Sequence, residues 1–449
     1  MKKNDKVELE ITGLTSEGMG VGRAEGMAVF VPTCGVGDRI LARIEKVHSS
    51  YAFGKMVELL SPSPSRIEND CPVFPGCGGC VYRHMTYSAE LEAKETLVRE
   101  NLRKLGGLTP ELRPIIPSPE ECRYRNKAQY PVAGEPGGLF AGFYSRRSHR
   151  VIPAEDCLLQ PEIFSHILRE VLTLCNRHRL TAYNEATHTG ILRHIYLRRG
   201  DGGIMVCLVC NASGLPFEEE LCALLRERFS EISSIVLCKN TKKTNVILSD
   251  SCRTLWGSAT ITDTICGITA ELSPLSFYQV NRPAAEGLYR TAAQMAGLTR
   301  EDILLDLYCG SGVIGLSMSH LVQALYGIEI VAPAVENARR NALRNGIENA
   351  EFLCCDAYEG LRQLADRGIR PSVIITDPPR KGCGKEVTDL LLAAAPRRIV
   401  MISCNSATLA RDCAYLVEGG YEITDAVPVD LFPRTAHVET VALLSRSRF

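Results

Sequence analysis

The chain lacks several features that would narrow its class. No uninterrupted apolar run approaches the roughly 20 residues needed to span a bilayer, so no membrane-spanning helix is expected. The first ten residues, MKKNDKVELE, hold no apolar core of a secretion signal, and the expected location is the cytoplasm. Charge of one sign is also missing: 51 Lys and Arg stand against 52 Asp and Glu, a net charge of -1. A globally basic nucleic-acid binder is excluded, and any basic surface must be local. Tryptophan occurs once and aromatics make up 6%. Cysteine is the exception, with 19 in 449 residues. Without a secretion signal a disulfide framework is not expected, so most thiols are core fillers and a few are metal ligands or nucleophiles.

Residues 1–62 have the pattern of a small β module. Expected strands over Lys6–Leu14, Met27–Val31, Asp38–Val47 and Phe53–Leu60 alternate with glycine turns such as Glu17 to Gly22. The run G-x-G-V-G-R, followed by V-F-V-P and G-D-R-I, resembles the TRAM domain, an OB-like β-barrel that binds RNA. A docking or solubility barrel is the plain alternative. Ser61–Ser65, S-P-S-P-S, has linker composition.

Cys71, Cys77 and Cys80 follow in a loop rich in Gly and Pro, which can wrap an inorganic centre. Zinc and iron–sulfur sites usually take four protein ligands, and Cys157 is the best candidate for the fourth. An iron–sulfur cluster fits three clustered thiolates plus a distant one; structural zinc is the alternative. Helical periodicity covers Ser88–Leu105, with Leu91, Leu97, Leu102 and Leu105 as the apolar positions and Gly106-Gly107 as the stop. Residues 123–150 mix Arg123, Arg125, Lys127, Arg146, Arg147 and Arg150 with Tyr124, Tyr130, Phe140, Phe143 and Tyr144, and Arg193, Arg198 and Arg199 add a second basic stretch. Such residues suit single-stranded RNA, although a solvated sheet face accounts equally well for any one of them. Residues 66–270 are expected to form a central α+β domain.

From 271 to 449 strands and helices alternate, the pattern of a doubly wound parallel sheet. Successive strand ends deliver Asp306 (followed by the glycines of Gly310-Ser311-Gly312), Glu329, Asp356, Asp377 (followed by Pro378-Pro379-Arg380) and Cys404. Ligands bind beyond the carboxyl ends of such strands. A lone glycine fingerprint also fits a dinucleotide. A third acid and the Asp-Pro-Pro turn favour S-adenosylmethionine, which has no pyrophosphate and presents a cationic sulfonium. A helix N-cap is the plain alternative for each acid. Taken alone, Cys404 reads as a buried small residue; at this edge it reads as a nucleophile. If the last strand, Thr440–Leu444, returns antiparallel, Glu439 faces Cys404, with His437 a competing base.

These segments together resemble the RNA 5-methyluridine (uracil-C5) methyltransferase family, in its ribosomal RNA branch with a TRAM domain and an iron–sulfur cluster. The carrying residues are Cys71, Cys77, Cys80 and Cys157; Phe277-Tyr278-Gln279-Val280-Asn281; Asp306 to Gly310; Asp377 to Arg380; Ser403-Cys404-Asn405; and His437-Val438-Glu439. The resemblance implies a Rossmann-like class I methyltransferase domain and a [4Fe–4S] cluster on the four cysteines. It implies S-adenosylmethionine bound by Gln279, Tyr308, Glu329 and Asp377, with Asp356 near the adenine. Cys404 would be the nucleophile and Glu439 the base. It implies that the helix at 88–105 packs on the catalytic domain, and it makes RNA the partner of a monomeric protein, ribosomal RNA first (23S) and transfer RNA as the alternative. Ser406 departs from the proline the family often has there. Amino-group methyltransferases share the Asp-Pro-Pro turn but typically continue it with an aromatic residue, where Arg380 stands. An RNA chaperone with an inert methyltransferase fold and a redox sensor are the remaining alternatives.

Overall fold

The computed structural model describes residues 1–446. No helix among them is long and apolar enough to cross a membrane.

The N-terminal six-stranded sheet comprises Lys6–Glu10, Gly13–Leu14, Gly20–Ala24, Met27–Val31, Arg39–Val47 and Tyr51–Ser61. The expected turn Glu17 to Gly22 ends at Met19, and Gly20 opens strand Gly20–Ala24. In the structure Gly20 and Gly22 lie in a strand because a Cβ at either would press on Cys34, or on Leu9 and the Glu10 carbonyl. The two edges of the sheet are Lys6–Glu10 and Gly13–Leu14, neighbouring pieces of one segment. The S-P-S-P-S stretch is pinned rather than loose. Buried Asp38 accepts from Ser63 N at 2.9 Å and pairs with Arg66 at 2.6 Å.

The central seven-stranded sheet runs in the spatial order Val151–Pro153, Phe140–Tyr144, Lys127–Ala133, Leu192–Gly200, Gly203–Cys210, Ile232–Lys239, Cys252–Gly257. Helices Glu162–Arg177 and Glu218–Arg228 cover one face and bury Phe164, Val171 and Leu225 against Ile195, Leu197 and Val206. The opposite face, with Tyr196, Met205 and Val236, shares a core with Ile261, Leu288 and Val400 of the C-terminal half.

The C-terminal sheet has eight strands. In spatial order they are Ala350–Cys354, Ala324–Glu329, Ile303–Leu307, Val373–Thr376, Arg398–Ser403, Glu439–Arg446, Tyr421–Val429 and the short Glu111–Leu112. The first five are parallel. The apolar runs of Ile303–Leu307, Val373–Thr376 and Arg398–Ser403 are buried on both faces, as inner parallel strands require, whereas the edge strand Ala350–Cys354 is partly open. Strand Glu439–Arg446 returns antiparallel, with Ser403 opposite Thr440.

Helix Tyr87–Gly106 belongs in space to this half. Thr86 caps its start, and Gly107, at φ 64°, ends it in the left-handed region that glycine adopts without penalty. The face it buries takes only Leu102 of the leucine series: Leu102 is 1% exposed and Leu105 59%. Glu90, Lys94, Val98 and Leu102, each four residues on from the last, form the buried stripe. Lys94 Nζ donates to Glu90 Oε1 and to Asp430 Oδ1, both at 2.7 Å, and all three side chains are sequestered from water.

Candidate active site

The strand order reverses around Ile303–Leu307, which has Ala324–Glu329 on one side and Val373–Thr376 on the other. Crevices form at such reversals, beyond the carboxyl ends. Asp306 lies in this strand, and its Oδ2 accepts the Gly315 N–H at 2.8 Å. A Cβ on Gly315 would crowd that carboxylate, so glycine is required. Asp306 Oδ1 is buried without a hydrogen-bond partner. Tyr308 follows in the left-handed region at φ 67°, an uncommon conformation for an aromatic residue that occurs where a site demands it. Glu329 spends both oxygens on backbone: Oε2 on Gly310 N at 3.2 Å and Oε1 on Val331 N at 2.8 Å. Gln279 is buried, and its carbonyl accepts from Asn126. Asp356 is exposed and caps helix Ala357–Asp366 through Glu359 N at 2.9 Å. The N-cap reading therefore describes its present contacts, at the same edge as the other acids.

Cys404 extends strand Arg398–Ser403 by one residue, and Glu439 opens the antiparallel neighbour; the Ser403–Thr440 register brings the two to the same edge. Glu439 is 5% exposed. Burial first, then the negative charge of Asp377, pushes its carboxyl up to about 8, against the opposing pull of Arg380. Burial alone pushes Asp377 up to about 7. Asp306 also reaches about 7, through burial and then the charges of Asp377 and Glu329, opposed by its Gly315 hydrogen bond. The Cys404 thiol is raised by burial, then by Glu439 and Asp377, and lowered by Arg380. Several groups that prefer to be uncharged thus share one pocket edge with a single guanidinium. A cation added there would relieve them.

Arg380 is the member that sequence reasoning missed. Its Nη2 lies 2.9 Å from His437 Nδ1. Its carbonyl accepts from Asn405 Nδ2 at 3.1 Å and from Thr408 Oγ1 at 3.3 Å. The Asp-Pro-Pro-Arg turn and the Ser-Cys-Asn turn therefore hold each other. Burial, then Arg380, lowers His437 to about 4. The residue itself is solvent-exposed, and its Nδ1 faces the Arg380 guanidinium, which disfavours a second positive charge there. The signal for Arg380 was present as the residue that replaces an aromatic after Asp-Pro-Pro.

Cys71, Cys77, Cys80 and Cys157 line one cavity of about 100 Å³ with Phe74, Arg83 and Arg125. Among the described residues no group of three or more His, Cys, Asp or Glu converges so as to hold a metal ion. Burial raises the thiols of Cys77, Cys80 and Cys157, that of Cys80 to about 11. Arg83 Nη2 and Arg125 Nε are buried without partners. The lining thus offers four sulfurs and unspent cationic donors around one space.

The basic stretches divide on inspection. Arg198 is fully buried and donates to the Ser273 and Ser276 carbonyls at 2.8 and 2.7 Å. Arg193 is buried on the carbonyls of Asn240, Lys242 and Thr244. Tyr124 and Tyr130 are core. These four are spent on the scaffold; Arg147, Arg150 and Arg199 are exposed.

A sequence model described as tRNA (uracil-5-)-methyltransferase matches residues 86–447, and one of the TRAM domain matches residues 2–57. The chain belongs to the uracil-5-methyltransferase family of RNA-modifying enzymes and carries an N-terminal TRAM domain. It is 42% identical over 447 residues to an uncharacterized RNA methyltransferase of Halalkalibacterium halodurans, covering 99% of this chain and 98% of that one. A similarly described protein of Listeria innocua is 40% identical, with the same coverages. Among solved structures, the Pyrococcus abyssi tRNA (uracil-54, C5)-methyltransferase in complex with S-adenosyl-L-homocysteine superposes with a TM-score of 0.78 at 26% identity. The match covers 98% of this chain and 100% of that one. The chain is an RNA methyltransferase with the α/β methyltransferase fold, and S-adenosylmethionine is its methyl donor.

Proposed function

We propose that this protein methylates C5 of uridine in RNA by transient covalent catalysis, with Cys404 as nucleophile and Glu439 as base. The observation that carries the reading is the antiparallel return of Glu439–Arg446, which brings a buried carboxyl beside a cysteine at the edge where the donor-binding acids end.

Uracil C5 is a poor nucleophile. Addition of the Cys404 sulfur to C6 moves the C5=C6 electrons onto C5 and O4. S-adenosylmethionine, consumed as a substrate, supplies the methyl group, which bonds to C5 as its bond to the sulfonium breaks. Glu439 takes the C5 proton, C5=C6 re-forms, and the thiolate of Cys404 leaves. A thiolate is the reactive form, and Arg380 is the charge that favours it at Cys404. A carboxyl raised to about 8 is a strong base for its type once ionised, so proton removal by Glu439 gains as pH rises through about 8. Gln279, Tyr308, Glu329, Asp356 and Asp377 form the donor site in this reading. The target base must leave its stack, which costs a few kcal/mol and favours loops over duplex.

The four cysteines suit a [4Fe–4S] cluster better than zinc. All four line one cavity, and Arg83 and Arg125 have buried donors left for an anionic centre. Cys71, Cys77, Cys80 and Cys157 would hold it, and its contribution would be to fix the loop 71–80 rather than to transfer methyl. Lys6–Leu14 supplies both edges of the N-terminal sheet, and the reading is a closed OB-like barrel that grips RNA.

Ribosomal RNA, 23S in particular, is the substrate by resemblance. Transfer RNA is the second reading, favoured by the Pyrococcus abyssi enzyme, which acts on uracil 54 of transfer RNA. Mapping 5-methyluridine in both RNA classes from cells with and without the protein decides between them. Cys404→Ala should abolish turnover, and Glu439→Gln should accumulate a covalent RNA–protein adduct. Full activity of the Cys404→Ala protein would overturn the mechanism.

A further inference from the structure

A second cavity, about 170 Å³, lies in the central domain and is lined by Tyr144, His149, Glu185, Arg193, His194 and the loop 244–247. Its walls come from four separated segments, and Arg193 ties three of them together. The Arg193 guanidinium donates to the carbonyls of Asn240, Lys242 and Thr244 at 3.0, 2.8 and 3.2 Å, and lies 4.2 Å from the Tyr183 ring centroid. The strand that carries it breaks register between Leu192 and His194. Such irregularities re-aim side chains next to sites. His194 is 6% exposed and lines the cavity. Its Nδ1 has no partner, and its Nε2 is a loose 3.5 Å from the Tyr144 hydroxyl. A buried, half-satisfied imidazole is costly unless something completes it.

The remaining lining has the chemistry of base recognition. Tyr144 and His149 form a tilted ring pair with centroids 5.1 Å apart. Glu185 Oε2 is engaged by His149 Nδ1 at 2.5 Å, whereas Oε1 has only the Tyr144 hydroxyl at 3.4 Å. One carboxylate oxygen is therefore nearly free to accept. Lys242, Lys243 and Arg150 are exposed near this cavity in sequence and have no ion pair among the described residues. The cavity is also joined to the cysteine loop. Gly78 N donates to the Tyr144 carbonyl at 2.9 Å, and Phe143, facing the other way along the same strand, lines the cysteine cavity.

We propose that this cavity is a subsite for one unpaired nucleotide of the substrate RNA, separate from the target uracil, and that it takes a base whose exocyclic amino group adjoins an unprotonated ring nitrogen on its pairing edge, adenine or cytosine. The base stacks on the Tyr144–His149 pair, its amino group donates to Glu185, and its ring nitrogen meets His194. Lys242 and Lys243 face the backbone phosphates. Uracil lacks the amino donor and would turn a carbonyl toward the Glu185 carboxylate. The proposal rests on the RNA-methylating reading given above and names where that RNA is held.

The test is fluorescence-anisotropy binding of labelled hexaadenylate, hexacytidylate and hexauridylate to the full-length protein and to its Glu185→Ala and Tyr144→Ala variants. Both side chains are partly exposed, and unchanged S-adenosylmethionine binding verifies the fold of each variant. The expected result is about tenfold weaker binding of hexaadenylate or hexacytidylate by each variant, with hexauridylate binding unchanged. Equal loss for all three oligomers, or no loss for any, overturns the subsite while leaving RNA methylation intact. A wild-type protein that binds none of the oligomers yet methylates RNA overturns the subsite as well. A protein that neither binds nor methylates RNA instead overturns the functional reading on which it rests.

Discussion

At the scale of single residues, the candidate active site is a set of carboxyls held away from their ordinary ionisation. Asp306 and Asp377 are raised to about 7 and Glu439 to about 8. A carboxyl raised in the folded state favours the fold while protonated, and that stabilisation is lost as pH climbs through the raised values. Between pH 6 and 8.5 the three groups ionise against one another, and a bound cation offsets the repulsion. The sulfonium of S-adenosylmethionine is such a cation, and the thioether of S-adenosylhomocysteine is neutral. Thermal melting should therefore give a larger Tm gain with S-adenosylmethionine than with S-adenosylhomocysteine at pH 8.5, and the difference should shrink toward pH 6. A difference independent of pH would contradict this account. In single-turnover reactions across pH 6–9, methyl transfer should rise with pH as the raised Cys404 thiol ionises, and resolution of the covalent adduct should rise through about 8 as Glu439 becomes a base. Arg380→Met should raise the Cys404 thiol further and move the rise in methyl transfer to higher pH.

At the scale of elements, helix Tyr87–Gly106 is bound to the C-terminal tail by charge. Lys94 lies between Glu90 and Asp430 in a region closed to water. Arg434 pairs with Glu121, and its backbone N–H donates to Glu90 Oε1 at 2.7 Å. Tyr87 OH adds a 2.9 Å bond to Asp430. These residues fix the segment 430–434 that leads into His437 and Glu439. Removing one partner of a buried pair leaves an uncompensated charge, costing about 3–5 kcal/mol. Lys94→Met should lower stability by that order in urea denaturation, whereas Lys104→Met, on the exposed last turn, should change it by about 0–1 kcal/mol.

At the scale of the whole molecule, the central sheet and the C-terminal sheet share apolar side chains across one core, while the N-terminal sheet has a core of its own around Val29, Val31 and Ile44. Trp256, the sole tryptophan, lies in the last strand of the central sheet. Its fluorescence and the loss of S-adenosylmethionine binding should follow one coincident transition in denaturant. The N-terminal sheet has no tryptophan and should contribute a change in far-ultraviolet dichroism that Trp256 does not report. Separate midpoints for Trp256 and donor binding would mean that the shared core does not couple the two halves.

Periodicity and strand-end chemistry carried much of this without coordinates. Val373–Thr376 and Arg398–Ser403 are legible because strands buried on both faces must be apolar throughout, and a polar residue at each end marks the edge where ligands bind. The placement of Asp306, Glu329, Asp356, Asp377 and Cys404 at one sheet edge was legible for the same reason, although Asp356 caps a helix and Glu329 binds backbone N–H groups there. Three things required the tertiary structure. The buried face of helix Tyr87–Gly106 runs through Glu90 and Lys94, because Asp430 and Arg434, more than 330 residues away, satisfy those charges; the leucine series could not reveal it. Arg193 and Arg198 look like RNA contacts as letters, but carbonyls from distant loops bury them as scaffold. Arg380 gains its place beside His437 only when two turns from different strands meet. Local sequence determines which groups are available and in what alternation. Long-range packing alone decides which of them lose water, and loss of water is what turns an ordinary carboxyl or arginine into part of a site.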